Sequence, residues 1–163
     1  MDLQIFTTGG TIDKVYFDAL SDFKVGAPQI VDILRQVNAG LTYEVQTLMQ
    51  KDSLELTDAD REIIAQHVAE APCQRVLITH GTDTMVDTAQ VLAAHDAITD
   101  KTVVLVGSLT PARFKHSDAE FNIGFAIGAV QAMPPGVYVT MNGRIFDPAH
   151  VRKNREANAF QDV

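Results

Sequence analysis

The 163 residues are about one domain's length, and 46% hydrophobic content beside 21% charged residues excludes a disordered chain. A formal charge of -8 at pH 7 argues against nucleic acid and anionic membrane as partners, because both need a basic face. A lone cysteine, Cys73, excludes an internal disulfide framework, and with no basic leader and no apolar run approaching about 18 residues a cytoplasmic protein is expected.

Residues 3–8 form a β-rich run that ends in "TTGGTI". Adjacent glycines let a chain bend sharply and bring its amides close to a ligand, although Gly-Gly by itself more often marks a plain turn. Neither G-x-x-x-x-G-K-[ST] nor G-x-G-x-x-G is present, which removes the phosphate-cradle reading. A helix is predicted over 28–37, stopped by Gly40, and a second strand over 43–49 runs into "QKDSLE". The next helix, 59–71, is introduced by Thr57 as a cap and closed by Pro72. A third strand, 75–79, leads into "THGTDT", and a helix over 84–95 follows, for which Thr82 or Asp83 can serve as cap. The fourth strand, 102–106, opens into "GSLTPAR". A helix over 118–133 then starts at the Ser-x-x-Glu of Ser117 and Glu120 and is broken by "MPPG" before a fifth strand at 137–141.

Alternating strands and helices imply βαβ crossovers. The runs "RVLIT" and "TVVLV" are apolar on consecutive residues, as in strands covered on both faces. The expected fold is α/β: one domain spanning 1–163, a three-layer, doubly wound, mostly parallel sheet of Rossmann or flavodoxin type. Ligands of such sheets bind beyond the carboxyl ends of the strands, where strand order reverses. "TTGGT", "QKDSLE", "THGTDT" and "GSLTPAR" all belong at that mouth. His80 and Asp83 lack a second histidine at ligand-like spacing, so no metal site is expected, and G-x-S-x-G is missing.

"TGGTI" and "HGTDT" at this separation resemble the two signature motifs of the bacterial-type L-asparaginases. "KDSLELT", "VLVGSLTPARFKHSDAEFN" and "DPAHVRKNREANAF" resemble further segments of that family in the right order. The resemblance covers the whole chain but only the family's amino-terminal domain; the smaller second domain has no counterpart in these residues. It implies that Thr11 is the nucleophile, attacking the side-chain amide carbon of L-asparagine and forming a threonyl ester as ammonia leaves. Thr82, Asp83 and Lys153 would complete a Thr-Lys-Asp triad, a threonine hydroxyl being a poor nucleophile without a positioned base. Read alone, "RKNRE" is a solvated charged tail.

By the same resemblance Asp52 and Ser53 would hold the substrate's α-carboxylate and Asp83 its α-ammonium, with Gly10, Gly81 and Ser108 close to the substrate. Leu54 stands where a polar residue is usual. The lid tyrosine would be Tyr16, with Phe23 aligning nearly as well. The implied activity is a cofactor-free amidohydrolase of asparagine catabolism, with minor glutaminase activity, acting on a small-molecule substrate as a homo-oligomer. The alternative is an asparagine-binding or sensing module with little turnover.

Overall fold

The computed structural model describes residues 1–17 and 22–163. In chain order the strands are β1 (Leu3–Gly9), β2 (Lys14–Phe17), β3 (Asp22–Val25), β4 (Tyr43–Lys51), β5 (Arg75–Thr79), β6 (Thr102–Val106), β7 (Gly136–Met141), β8 (Arg144–Phe146), β9 (Val151–Asn154) and β10 (Ala159–Asp162). The helices are α1 (Ile30–Gln36), α2 (Asp58–Glu70), α3 (Met85–Ala93) and α4 (Ala119–Ala132). Six strands make the central sheet in the order β4-β1-β5-β6-β7-β8, parallel except for the β7–β8 pair. β2–β3 and β9–β10 are separate antiparallel hairpins.

Side chains alternate between the faces of a strand, so β5 and β6 send Val76, Ile78, Val103 and Leu105 to one side and Leu77, Val104 and Val106 to the other. The first face is covered by α2 (Ile64, Ala65, Val68) and α3 (Met85, Ala89, Leu92), the second by α1 (Ile30, Ile33, Leu34) and α4 (Ile123, Ala126, Val130). This is the expected three-layer, doubly wound architecture.

One connection departs from the usual hand. The β1-to-β4 connection steps one way with α1 on the second face, and the next two step back the other way with α2 and α3 on the first face, so those three share a hand. The β6-to-β7 step continues in the same direction, yet α4 lies on the second face. Parallel crossovers are right-handed almost without exception, which makes β6–α4–β7 the left-handed one.

All five sheet strands and four helices read from the sequence are present, the helices ending one or two residues inside the expected bounds. Their caps differ more. Thr57 forms a full capping box with Asp60, accepting its N–H while Asp60 accepts from the Thr57 N–H. The expected box at Ser117 and Glu120 is absent. Ser117 instead accepts from the Ala119 N–H and donates to the Thr110 carbonyl, because Asp118 takes the N-cap position and turns its carboxylate to the preceding loop. α1 ends before Gly40, at a left-handed Asn38 (φ 49°). Neither Thr82 nor Asp83 caps α3; Thr84 holds that position and donates its hydroxyl to the Ser53 carbonyl. No helix among the described residues is long and apolar enough to cross a membrane.

Candidate active site

Strand order reverses between β1 and β5, and the loops after these two strands meet there. Gly9 and Gly10 both take positive φ (97° and 90°), turning the chain out of the sheet; the Gly10 N–H is received by the Lys51 carbonyl at 2.9 Å. Thr11 then opens a one-turn 3-10 segment, Thr11–Asp13. A Cβ built on Gly10 would press into the Cα and N of Gly81, and one on Gly81 would lie 2.6 Å from the Cβ and Oγ of Ser53. Three loops therefore stack: "TGGT" lies backbone on backbone against "HGT", and Gly81 of "HGT" seats on Ser53 of "KDS". Thr8 locks the first two together by donating to the Thr79 carbonyl at 2.9 Å. Ser53 is buried and Thr11 partly exposed.

His80 fixes the middle loop from below. It is fully buried, its Nδ1 lies 2.7 Å from the Gly81 carbonyl and its Nε2 2.8 Å from the Thr88 hydroxyl. A carbonyl only accepts, so Nδ1 carries the proton and Thr88 donates to Nε2. Burial lowers the imidazole's pKa to about 4, against the bond to Gly81, so it is a neutral structural group.

Lys153 arrives on β9. Residues two apart on a strand share a face, so Val151, buried in the first-face core, carries Lys153 inward with it. The opposite strand is anchored by Phe160, and Gln90 of α3 donates to the Pro148 carbonyl at 2.9 Å. Lys153 Nζ donates to Thr82 Oγ1 at 2.7 Å and to Asp83 Oδ1 at 2.9 Å, and the Arg155 guanidinium stands 3.5 Å from the same carboxylate oxygen. "RKNR" thus faces inward at one residue and flanks Asp83 at another.

The third loop carries Asp52 and Ser53. Asp52 Oδ2 pairs with Lys14 Nζ at 2.7 Å. Burial works against its charge, but the bonds from Lys14 and the Leu54 N–H, with the charges of Lys14 and Lys153, together hold its carboxyl below the ordinary range. Lys14 begins β2, so this pair ties the β2–β3 hairpin to the "KDS" loop. Tyr16, on the same strand, is 54% exposed and packs edge-on against Phe23 at 5.5 Å, which in turn neighbours Phe114 at 6.0 Å. The two candidates for the lid aromatic are thus cross-strand partners, and no hydrogen bond joins Tyr16 to Thr82, Asp83 or Lys153.

In the fourth loop Ser108 is buried and donates to the Thr110 carbonyl at 2.6 Å. Asp118 organises this loop, accepting from the Leu109 and Thr110 N–H groups, the Thr110 hydroxyl and Asn122. A Cβ on Gly107 would press into the His80 carbonyl and lie 3.3 Å from Thr82 Cγ2. Among the described residues no three His, Cys, Asp or Glu side chains converge as metal ligands would. Asp13, Lys14, Arg155 and Asp118 were not singled out from the sequence; each is an ordinary charged residue whose role depends on a partner elsewhere in the chain.

A family model described as asparaginase, N-terminal, matches residues 2–163. A glutaminase-asparaginase of Acinetobacter glutaminasificans is 33% identical over 172 residues, covering 96% of this chain and 51% of its own. That of Pseudomonas fluorescens biotype A is 30% identical, covering 96% and 47%. The thermostable L-asparaginase from Thermococcus kodakarensis superposes with a TM-score of 0.88 at 29% identity, over 100% of this chain and 51% of that one. The chain spans about half the length of these relatives.

Proposed function

Because the chain belongs to the asparaginase family, matching its amino-terminal domain, we propose that it hydrolyses L-asparagine to L-aspartate and ammonia through an ester on Thr11. The observation that carries this reading is Lys153 donating at once to Thr82 and Asp83 on the loop that stacks against the Gly10–Thr11 turn. Thr11 Oγ adds to the side-chain amide carbon, and its proton goes to the leaving nitrogen, which departs as ammonia. Water then cleaves the ester and restores the hydroxyl. Thr82 is suited to orient that water, since its oxygen accepts from Lys153 and its own O–H remains to be directed at the site. Ser53 and the Asp52 loop would take the α-carboxylate and Asp83 the α-ammonium through Oδ2, since Lys153 and Arg155 both stand on Oδ1.

Ammonia release from L-asparagine, followed in parallel for the parent, Thr11→Ala and Lys153→Met, tests the assignment. Loss of at least about a thousandfold in kcat is expected for Thr11→Ala. Turnover that survives Thr11→Ala unchanged would remove Thr11 as nucleophile. L-Glutamine in the same assay measures the second activity carried in two relatives' names, expected here to be minor. The protein is read as cytoplasmic, independent of cofactors and self-associating; an active monomer in light scattering contradicts the last point.

A second reading is favoured by Tyr16, which stands half exposed on the hairpin with no hydrogen bond to Thr82, Asp83 or Lys153. It is an asparagine-binding module with little turnover, and calorimetric binding without ammonia release would select it.

A further inference from the structure

Asp13 carries an anomaly that the proposed chemistry leaves unused. Its side chain is buried at 1% exposure, Oδ1 accepts the Gln29 N–H at 2.8 Å, and Oδ2 is buried with no partner among the described residues. A carboxyl oxygen in that position is costly as an anion and far less so as part of a neutral acid. The same residue closes the root of the β2–β3 hairpin. Its carbonyl accepts the Gly26 N–H at 2.8 Å, one step beyond the Lys14–Val25 pair, and its N–H donates to Gly10 at 3.1 Å within the 3-10 segment that begins at Thr11. Asp13 thus grips the chain leaving the hairpin at two points, Gly26 and Gln29, while standing two residues from Thr11.

We infer that Asp13 is a positioning residue whose protonation state controls the hairpin: the neutral acid holds the hairpin root closed beside Thr11, and ionisation loosens it. The physical reason is hydration. Among the described residues an ionised Oδ2 has no donor, so it must gain one from water, and at 1% exposure water reaches it only if the packing around Asp13 opens, which strains the two bonds that tie it to Gly26 and Gln29. No neighbouring charge among the described residues compensates it in place. Lys14 is paired with Asp52, Arg113 donates its Nε to the Gln29 side-chain oxygen at 3.0 Å, and Lys24 lies over the Phe17 ring at 4.8 Å. Burial raises the Asp13 pKa to about 7, opposed only by the Gln29 N–H, so the change falls near neutrality.

The hairpin's response does not depend on hydrolysis; its effect on turnover rests on the amidohydrolase reading above. The Gly26 and Gln29 amides are followed by NMR from about pH 5 to about pH 9 in the parent and in Asp13→Asn, which keeps the Oδ1 acceptor and cannot ionise. Both amides should shift with a midpoint near 7 in the parent, with their exchange protection falling at least about tenfold beyond the ordinary base dependence. Asp13→Asn should show neither. A midpoint near 4 in the parent, or an inflection near 7 that persists in Asp13→Asn, overturns the proposal, and the parent titration decides even if the variant does not fold. If the protein also turns over asparagine, the parent's kcat/KM should fall above about pH 7 while that of Asp13→Asn does not. A failure of turnover with the amide titration intact would count against the proposed function alone.

Discussion

Single atoms decide whether the loops can meet. Gly10 is constrained twice: φ of 90° strains any residue with a side chain, and a Cβ would drive into the Gly81 backbone, which cannot swing aside as a side-chain tip can. Gly81 does not take a positive φ and is constrained once, by the Cβ, Oγ and backbone N of buried Ser53. Gly10→Ala is therefore expected to cost about 2–4 kcal/mol and Gly81→Ala less. Urea unfolding of the two variants checks the order, and equal costs would show that φ at Gly10 contributes nothing. The pairing Lys153 makes with Thr82 and Asp83 has the opposite character, since it joins residues about seventy positions apart and depends on β9 being docked first.

At the scale of elements, the same reasoning predicts a gain. α4 holds Gly124 and Gly128, both exposed, and a Cβ at either would have nothing within 4 Å. Each position carries the backbone entropy of glycine with no compensating contact, so Gly124→Ala and Gly128→Ala should each stabilise by about 0.5–1 kcal/mol. Thermal or urea denaturation reads this directly, and a loss at either site would mean that α4 packs on something the chain alone does not provide. α4 was legible in the sequence from a Ser-x-x-Glu start and the "MPPG" that breaks it, which bounded it to within a residue at each end although the box itself does not form. β5 and β6 were legible because consecutive apolar residues have no other home in a small domain. The hand of β6–α4–β7 was not: an apolar helix carries no mark of which sheet face it will cover. β2 and β3 were missed because they bury little, so "KVYF" and "DFKV" lack a sharp alternation. In the site, the glycines and "HGTDT" announced themselves by composition. Asp13 carried no signal of its own, and only the tertiary structure reveals that it is sealed.

For the whole molecule, two kinds of buried carboxyl pull the pH dependence of stability in opposite directions. Asp60 is held at about 2, first by its bond to Lys51 and then by the Thr57 N–H. Its folded pKa lies below the ordinary 3.8, so the unfolded chain takes up the proton first, and this contribution, present above about pH 4, is lost as pH falls toward 2. Asp13 is raised, so the folded protein keeps a proton that the unfolded chain has released. Stability then falls as pH rises from about 4 to about 7 and is level beyond, by something on the order of 4 kcal/mol for a shift of this size. Net charge acts in the same sense: with a sequence pI near 4.9 and a charge of -8 at pH 7, self-repulsion grows on the alkaline side. The chain should accordingly be most stable at mildly acid pH, about 4.5–6, rather than at neutrality. Urea midpoints measured across pH at low protein concentration, where precipitation near the pI is avoided, provide the check. The difference between Asp13→Asn and the parent should grow in favour of the variant between about pH 4 and pH 7 and then stay constant, whatever pH-independent cost the new amide brings. A parent protein whose stability climbs steadily from pH 5 to pH 8 would mean that the Asp13 carboxylate finds donors in the native state, and the maximum would then move to neutrality.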